Sequence, residues 1–82
     1  MFDIKWHDDA SKEFDKLDNF VKKIILKKID ELREDPFSKD IKKLVGRDEY
    51  RFRVGNYRIV FEFLDNMIFI KKVGHRNHIY DF

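Results

Sequence analysis

The chain has 82 residues, 18 Lys and Arg, 16 Asp and Glu and no cysteine. That length holds one domain, expected over residues 1–82, with a small core, since such a chain buries roughly 60% of the surface it exposes unfolded. The missing cysteines exclude a disulfide scaffold and any thiolate-ligated metal. Charged residues make up 41% of the chain, yet thirteen aromatics (nine Phe, three Tyr, one Trp) argue against disorder. No apolar run is long enough to span a membrane or form a signal peptide, so a cytoplasmic protein is expected.

The net charge of +2 conceals an asymmetry. Residues 1–40 carry nine Lys/Arg and eleven Asp/Glu, net −2; residues 41–82 carry nine and five, net +4. Five of the six arginines, Arg47, Arg51, Arg53, Arg58 and Arg76, lie in the second half. Arginine is the planar, bidentate ligand for phosphate, so the two halves are expected to do different work.

In chain order, Phe2, Ile4 and Trp6 alternate with Asp3 and Lys5, the period of a half-buried strand. Asp8 or Asp9 can cap a helix whose apolar face is Ala10, Phe14 and Leu17. After Asp18-Asn19, Val21, Ile24, Ile25, Ile29 and Leu32 recur at helical spacing between lysines and acids, until Asp35-Pro36 ends the run. Residues 37–48 read as a loop. The period then becomes two: Tyr50, Phe52 and Val54 alternate with Arg51 and Arg53. Gly55-Asn56 is a hairpin signal, and Tyr57, Ile59, Phe61 and Phe63 continue the alternation. Asp65-Asn66 is a second tight turn, and residues 67–73 form a last strand ended by Gly74. The expected fold is α+β, in the order β-α-α-β-β-β, with a helical hairpin packed on one face of an antiparallel sheet.

A two-residue turn at Gly55-Asn56 sets Arg53 opposite Arg58 and Arg51 opposite Val60. A two-residue turn at Asp65-Asn66 sets Val60 opposite Lys71 and Arg58 opposite Val73. One sheet face then carries Tyr50, Phe52, Val54, Tyr57, Ile59, Phe61, Phe63, Ile68 and Ile70, and must be the core. The other carries Arg51, Arg53, Arg58 and Lys71 around Val60 and Val73. Two arginines facing each other across a ladder disfavour folding, whereas a polyanion welcomes them. In the closing segment, Arg76 can turn back toward Arg53 and Arg58, Tyr80 can stack on a base, and His75 and His78 can carry protons. His75 and His78 lack a nearby third ligand, so no metal is expected.

Leu44-Val45-Gly46, the stretch from Tyr50 through Arg51, Arg53, Gly55-Asn56 and Tyr57-Arg58 to Phe61, and Val73-Gly74-His75-Arg76-Asn77-His78-Ile79-Tyr80 together resemble the RelE family of toxin–antitoxin toxins, within the RelE/ParE superfamily. The resemblance covers nearly the whole chain. It implies a ribosome-dependent mRNA interferase, a metal- and cofactor-independent endoribonuclease in which the ribose 2′-hydroxyl attacks the adjacent phosphorus, leaving a 2′,3′-cyclic phosphate. It implies catalytic roles for Arg53, Arg58, Arg76 and Tyr80, and RNA binding by Arg51; Lys71 joins the RNA-binding face by register. Partners implied are mRNA, the ribosome and a RelB-like antitoxin. Arg51 and Arg53 stand where the best-known members have lysines, and arginine does not give up its proton. The general base is therefore expected to be His75, whose neutral form nearby arginines favour. The alternative within the superfamily is a ParE-like inhibitor of DNA gyrase, without nuclease activity.

Overall fold

The structure is a computed structural model that describes residues 1–37 and 40–77. Its elements are β1 (Asp3–Trp6), α1 (Asp8–Asp15), α2 (Asn19–Glu34), β2 (Ile41–Lys43), β3 (Tyr50–Val54), β4 (Tyr57–Leu64) and β5 (Met67–His75). The strands form one sheet in the order β1-β5-β4-β3-β2. β2 to β5 pair antiparallel, and β1 runs parallel to β5 at the edge. Two features of the sheet therefore extend the expected antiparallel meander. Ile41–Lys43, expected within a loop, pairs with β3 as an edge strand. The first strand lies at the other edge, parallel to β5, and the helical hairpin that follows it carries the chain across the sheet from β1 to β2.

Local chemistry explains the helix ends. His7 rather than either aspartate is the N-cap of α1; its Nδ1 accepts from the Asp9 backbone N–H at 3.1 Å. α2 ends where Asp35 leaves the helical region before Pro36, at φ −140° and ψ 86°. The end of α2 is tied to the start of the chain: Phe2 N–H donates to the Arg33 carbonyl, and Arg33 Nε donates to the Phe2 carbonyl at 3.1 Å.

The helices bury one stripe each against one sheet face. Ala10, Ile25, Ile29 and Leu32 meet Phe52, Val54, Ile59, Phe61, Ile68, Ile70 and Val73, and all are buried. Phe61 lies at the centre, stacked on Tyr50 at 5.7 Å and edge-on to Phe63 at 5.5 Å. Such pairs add about 0.5–1.5 kcal/mol each beyond the area they bury. Ile24, expected on the buried stripe, is exposed at the rim.

The first hairpin has the expected register. Gly55 sits at φ +59°, and Arg53 pairs with Arg58, Arg51 with Val60. The second hairpin follows expectation only as far as Phe61 opposite Ile70. There the ladder shifts: Val60 faces Lys72, Ile59 faces Val73, Arg58 faces Gly74 and Tyr57 faces His75. Lys71 is the extra residue of a β-bulge. A one-residue shift exchanges the faces of everything beyond it. Val73, expected on the outer face, is consequently fully buried in the core opposite Ile59.

Candidate nucleic-acid interface

The outer sheet face is built from the residues that alternate away from the core. One row crosses four strands as Lys42, Arg51, Val60 and Lys72. The place expected for Lys71, opposite Val60, is taken by Lys72 because of the bulge. A second row joins Arg53, Arg58 and Gly74. The Arg76 backbone N–H donates to the Asn56 carbonyl at 2.8 Å, which fixes Arg76 beside the hairpin turn that Arg53 and Arg58 flank. Arg51, Arg53 and Arg58 thus lie on two neighbouring strands at one end of the sheet, with the backbone of Arg76 beside them.

Their states differ. Arg51, Arg53 and Arg76 form no ion pair with a carboxylate among the described residues. The Nε of Arg51 is buried with no acceptor among those residues, an arrangement that costs free energy in an isolated domain. Arg58 departs from the expected exposed arginine. It is only 8% exposed, and its Nη1 donates to the carbonyls of Gly55 and Tyr57, both at 2.9 Å. It braces the turn while its charge stays at the face.

Lys71 is held rather than open. Its Nζ lies 3.0 Å from Oε2 of Glu49, whose Oε1 accepts from Arg47 Nε at 2.5 Å. Glu49 was not singled out in the sequence, although its parity with Arg51 and Arg53 places it on the outward face. Burial alone would raise the Glu49 carboxyl; the hydrogen bonds and charges of Lys71 and Arg47 outweigh burial and hold it below its ordinary value.

His75 is not brought to the arginines. It pairs with Tyr57, which alternates toward the helix side of the sheet, and the two rings meet edge-on at 5.6 Å. Its Nδ1 accepts from the Asn77 backbone N–H at 3.2 Å. Tyr80 and His78 lie outside the described residues. Among the described residues no group of three or more His, Asp or Glu side chains is placed to hold a metal ion. No helix among them is long and apolar enough to cross a membrane. On the opposite, helix side, an apolar cleft of about 210 Å³ opens between α2 and the β3–β4 hairpin, lined by Phe20, Val21, Ile24, Val54 and Tyr57.

Residues 4–80 match the family described as the ParE toxin of the type II toxin–antitoxin system parDE. The fold, too, is shared with solved toxins. The toxin in the intact RelBE toxin–antitoxin complex of E. coli is 30% identical, with 92% of this chain and 96% of that chain covered and a TM-score of 0.78. The toxin in the RelB–RelE complex of Methanococcus jannaschii is 32% identical, with coverage of 94% and 95% and a TM-score of 0.76. A 44-residue stretch, 52% of this chain, is 50% identical to toxin RelE3 of Methanocaldococcus jannaschii and spans about half the length of that relative. The chain belongs to the RelE/ParE family of type II toxin–antitoxin toxins.

Proposed function

We propose that this toxin is an mRNA interferase that cleaves mRNA on the ribosome by attack of a ribose 2′-hydroxyl on the adjacent phosphorus. The observation that carries the reading is the placing of Arg51 and Arg53, without carboxylate partners among the described residues, on strands beside the braced Arg58, with the backbone of Arg76 next to them. Guanidinium groups at fixed spacing suit the charge that builds on a pentavalent phosphate, where preorganised donors are worth most. Arg53 and Arg58 stabilise that charge. Arg76 holds the scissile phosphate or assists the leaving oxygen, Arg51 binds a neighbouring phosphate, and Tyr80 orients a nucleotide. All four arginines remain charged, so they supply electrostatics and position rather than proton abstraction. The 2′-hydroxyl proton goes to a group other than His75, whose ring is turned to Tyr57.

The toxin is held silent by a RelB-like antitoxin. The E. coli and M. jannaschii relatives were solved as complexes with RelB, and the apolar cleft beside α2 suits an amphipathic helix.

Primer extension on mRNA from a translating extract tests the activity: the wild type yields in-frame cuts, and Arg53→Ala abolishes them. A gyrase inhibitor is the second reading, favoured by the match to a ParE description. Intact mRNA together with trapped gyrase–DNA complexes would establish it instead.

A further inference from the structure

Glu49 is an acid buried to 8% exposure in the most basic face of the molecule, and it binds two cations of that face at once. Folding does not require the arrangement. A buried carboxylate with its two cationic partners is seldom more stabilising than an apolar side chain of the same size. Lys71 and Arg47 come to Glu49 from different places: Lys71 from the bulge on β5, and Arg47 from the loop before β3. That loop is closed on the same residue, since the Leu44 N–H donates to the Glu49 carbonyl at 2.9 Å. Beside these three residues, a recess floored by Val60 and flanked by His7, Asp9 and Lys72 continues the face away from the hairpin turn. At the arginine end, Arg51, Arg53 and Arg76 form no ion pair with a carboxylate among the described residues, whereas at the recess end Lys71 and Arg47 are both answered by Glu49.

We propose that Glu49 is a positioning residue that sets the register of RNA on the toxin, an inference that rests on the RNA-cleaving reading above. By engaging Lys71 and Arg47, it withdraws two cations from the phosphate track and ends that track near Arg51. Phosphates then settle on Arg51, Arg53, Arg58 and Arg76, and the scissile linkage lies among the groups that stabilise it. If Lys71 and Arg47 were released, the track would lengthen and RNA would bind in competing, unproductive registers.

The test is binding of a single-stranded RNA oligonucleotide across a salt series, with cleavage of ribosome-bound mRNA measured in parallel. Each cation brought into contact with single-stranded RNA steepens the slope of log Kobs against log salt by about 0.7. Glu49→Gln is expected to steepen it by about 0.7–1.4, to tighten binding at low salt, and to lower kcat several-fold at saturating ribosomes. Adding Lys71→Ala to Glu49→Gln is expected to bring the slope back toward wild type. A folded Glu49→Gln protein with the wild-type slope and kcat overturns the proposal. Should Glu49→Gln fail to fold, Lys71→Ala alone decides. With Lys71 engaged by Glu49 the slope is unchanged, and a slope shallower by about 0.7 overturns the proposal. Wild-type protein that binds RNA without salt dependence would instead refute the RNA-cleaving reading itself, as would an Arg53→Ala slope equal to wild type.

Discussion

Arg58 is where folding and chemistry depend on the same side chain, and Arg58→Ala separates the contributions. The guanidinium gives two 2.9 Å hydrogen bonds to the Gly55 and Tyr57 carbonyls from a site with 8% exposure. A hydrogen bond from a charged donor contributes about 1.5–3 kcal/mol. The two bonds share one nitrogen, and water reaches the exposed turn in the variant, so the combined loss is set at about 2 kcal/mol rather than twice the single value. For a domain of this size, 1 kcal/mol moves Tm by roughly 4–8 °C, which gives a drop of roughly 8–16 °C. Thermal unfolding followed by circular dichroism, with urea titration as a second probe, measures it. Arg58→Lys restores charge but not the forked geometry, and is expected to fall between alanine and wild type in stability. A loss below about 0.5 kcal/mol, the usual scatter for surface positions, would show that the turn does not depend on Arg58. The residue would then contribute no more to folding than an exposed cation does, and any lost cleavage would be purely chemical.

Arg53→Ala should lose cleavage with Tm unchanged within about 2 °C, because Arg53 is exposed and has no carboxylate partner among the described residues; a melt displaced as far as that of Arg58→Ala would make it structural. The carboxyl of Glu49 is held below its ordinary value of 4.5 in the folded state, so its contribution to stability is complete above that pH and is lost as the pH falls through the lower folded value. Urea unfolding between pH 6 and pH 3 should accordingly show a wild-type loss on acidification that is smaller in Glu49→Gln; identical profiles would mean that the carboxylate contributes nothing. His75→Ala should retain cleavage while losing the edge-on contact with Tyr57, worth about 0.5–1.5 kcal/mol, and a folded but inactive variant would return His75 to the chemistry. Deleting Lys71 removes the bulge but keeps Lys72 opposite Val60 and Val73 opposite Ile59 in strict alternation, so the variant is expected to fold while Glu49 loses one of its two cations; an unfolded or insoluble variant would show that the sheet needs the extra residue.

What could be read from the sequence was local. Gly55-Asn56 carries its turn type in two residues, so the opposition of Arg53 and Arg58 followed by counting. The helical stripe of Ile25, Ile29 and Leu32 was legible for the same reason: its period lies within one element. Pairings decided far away in the chain were not legible. Ile41–Lys43 is too short to show a period, and β2 exists because β3 offers it an edge. β1 reads as a strand, but its parallel partner β5 is the last element of the chain, and no local pattern names it. The bulge left no mark, because Lys71-Lys72 is polar at both positions and satisfies either register until Val73 is required in the core. Glu49 could have been found by parity alone, since residues 49, 51 and 53 share one side of a strand. Its two ion pairs could not, because one partner depends on the bulge and the other on a loop.

The bulge ties the closing of the core to the make-up of the basic face. Between Ile70 and Val73, both fully buried, β5 carries two successive lysines where strict alternation would turn one of them inward. A buried lysine costs several kcal/mol unless it is paired and hydrogen-bonded. Inserting one residue into the ladder resolves this with both apolar anchors in place: Ile70 stays opposite Phe61, Val73 goes opposite Ile59, and the ammonium groups lie beside Glu49 and Val60. The same insertion decides what stands next to the arginines. It sets Gly74 rather than a side-chain-bearing residue opposite Arg58, leaving room for that guanidinium to fold back onto the turn, and it turns His75 to Tyr57. The composition of the basic face is therefore a consequence of how the core closes, and a change that moves Val73 moves the cations with it.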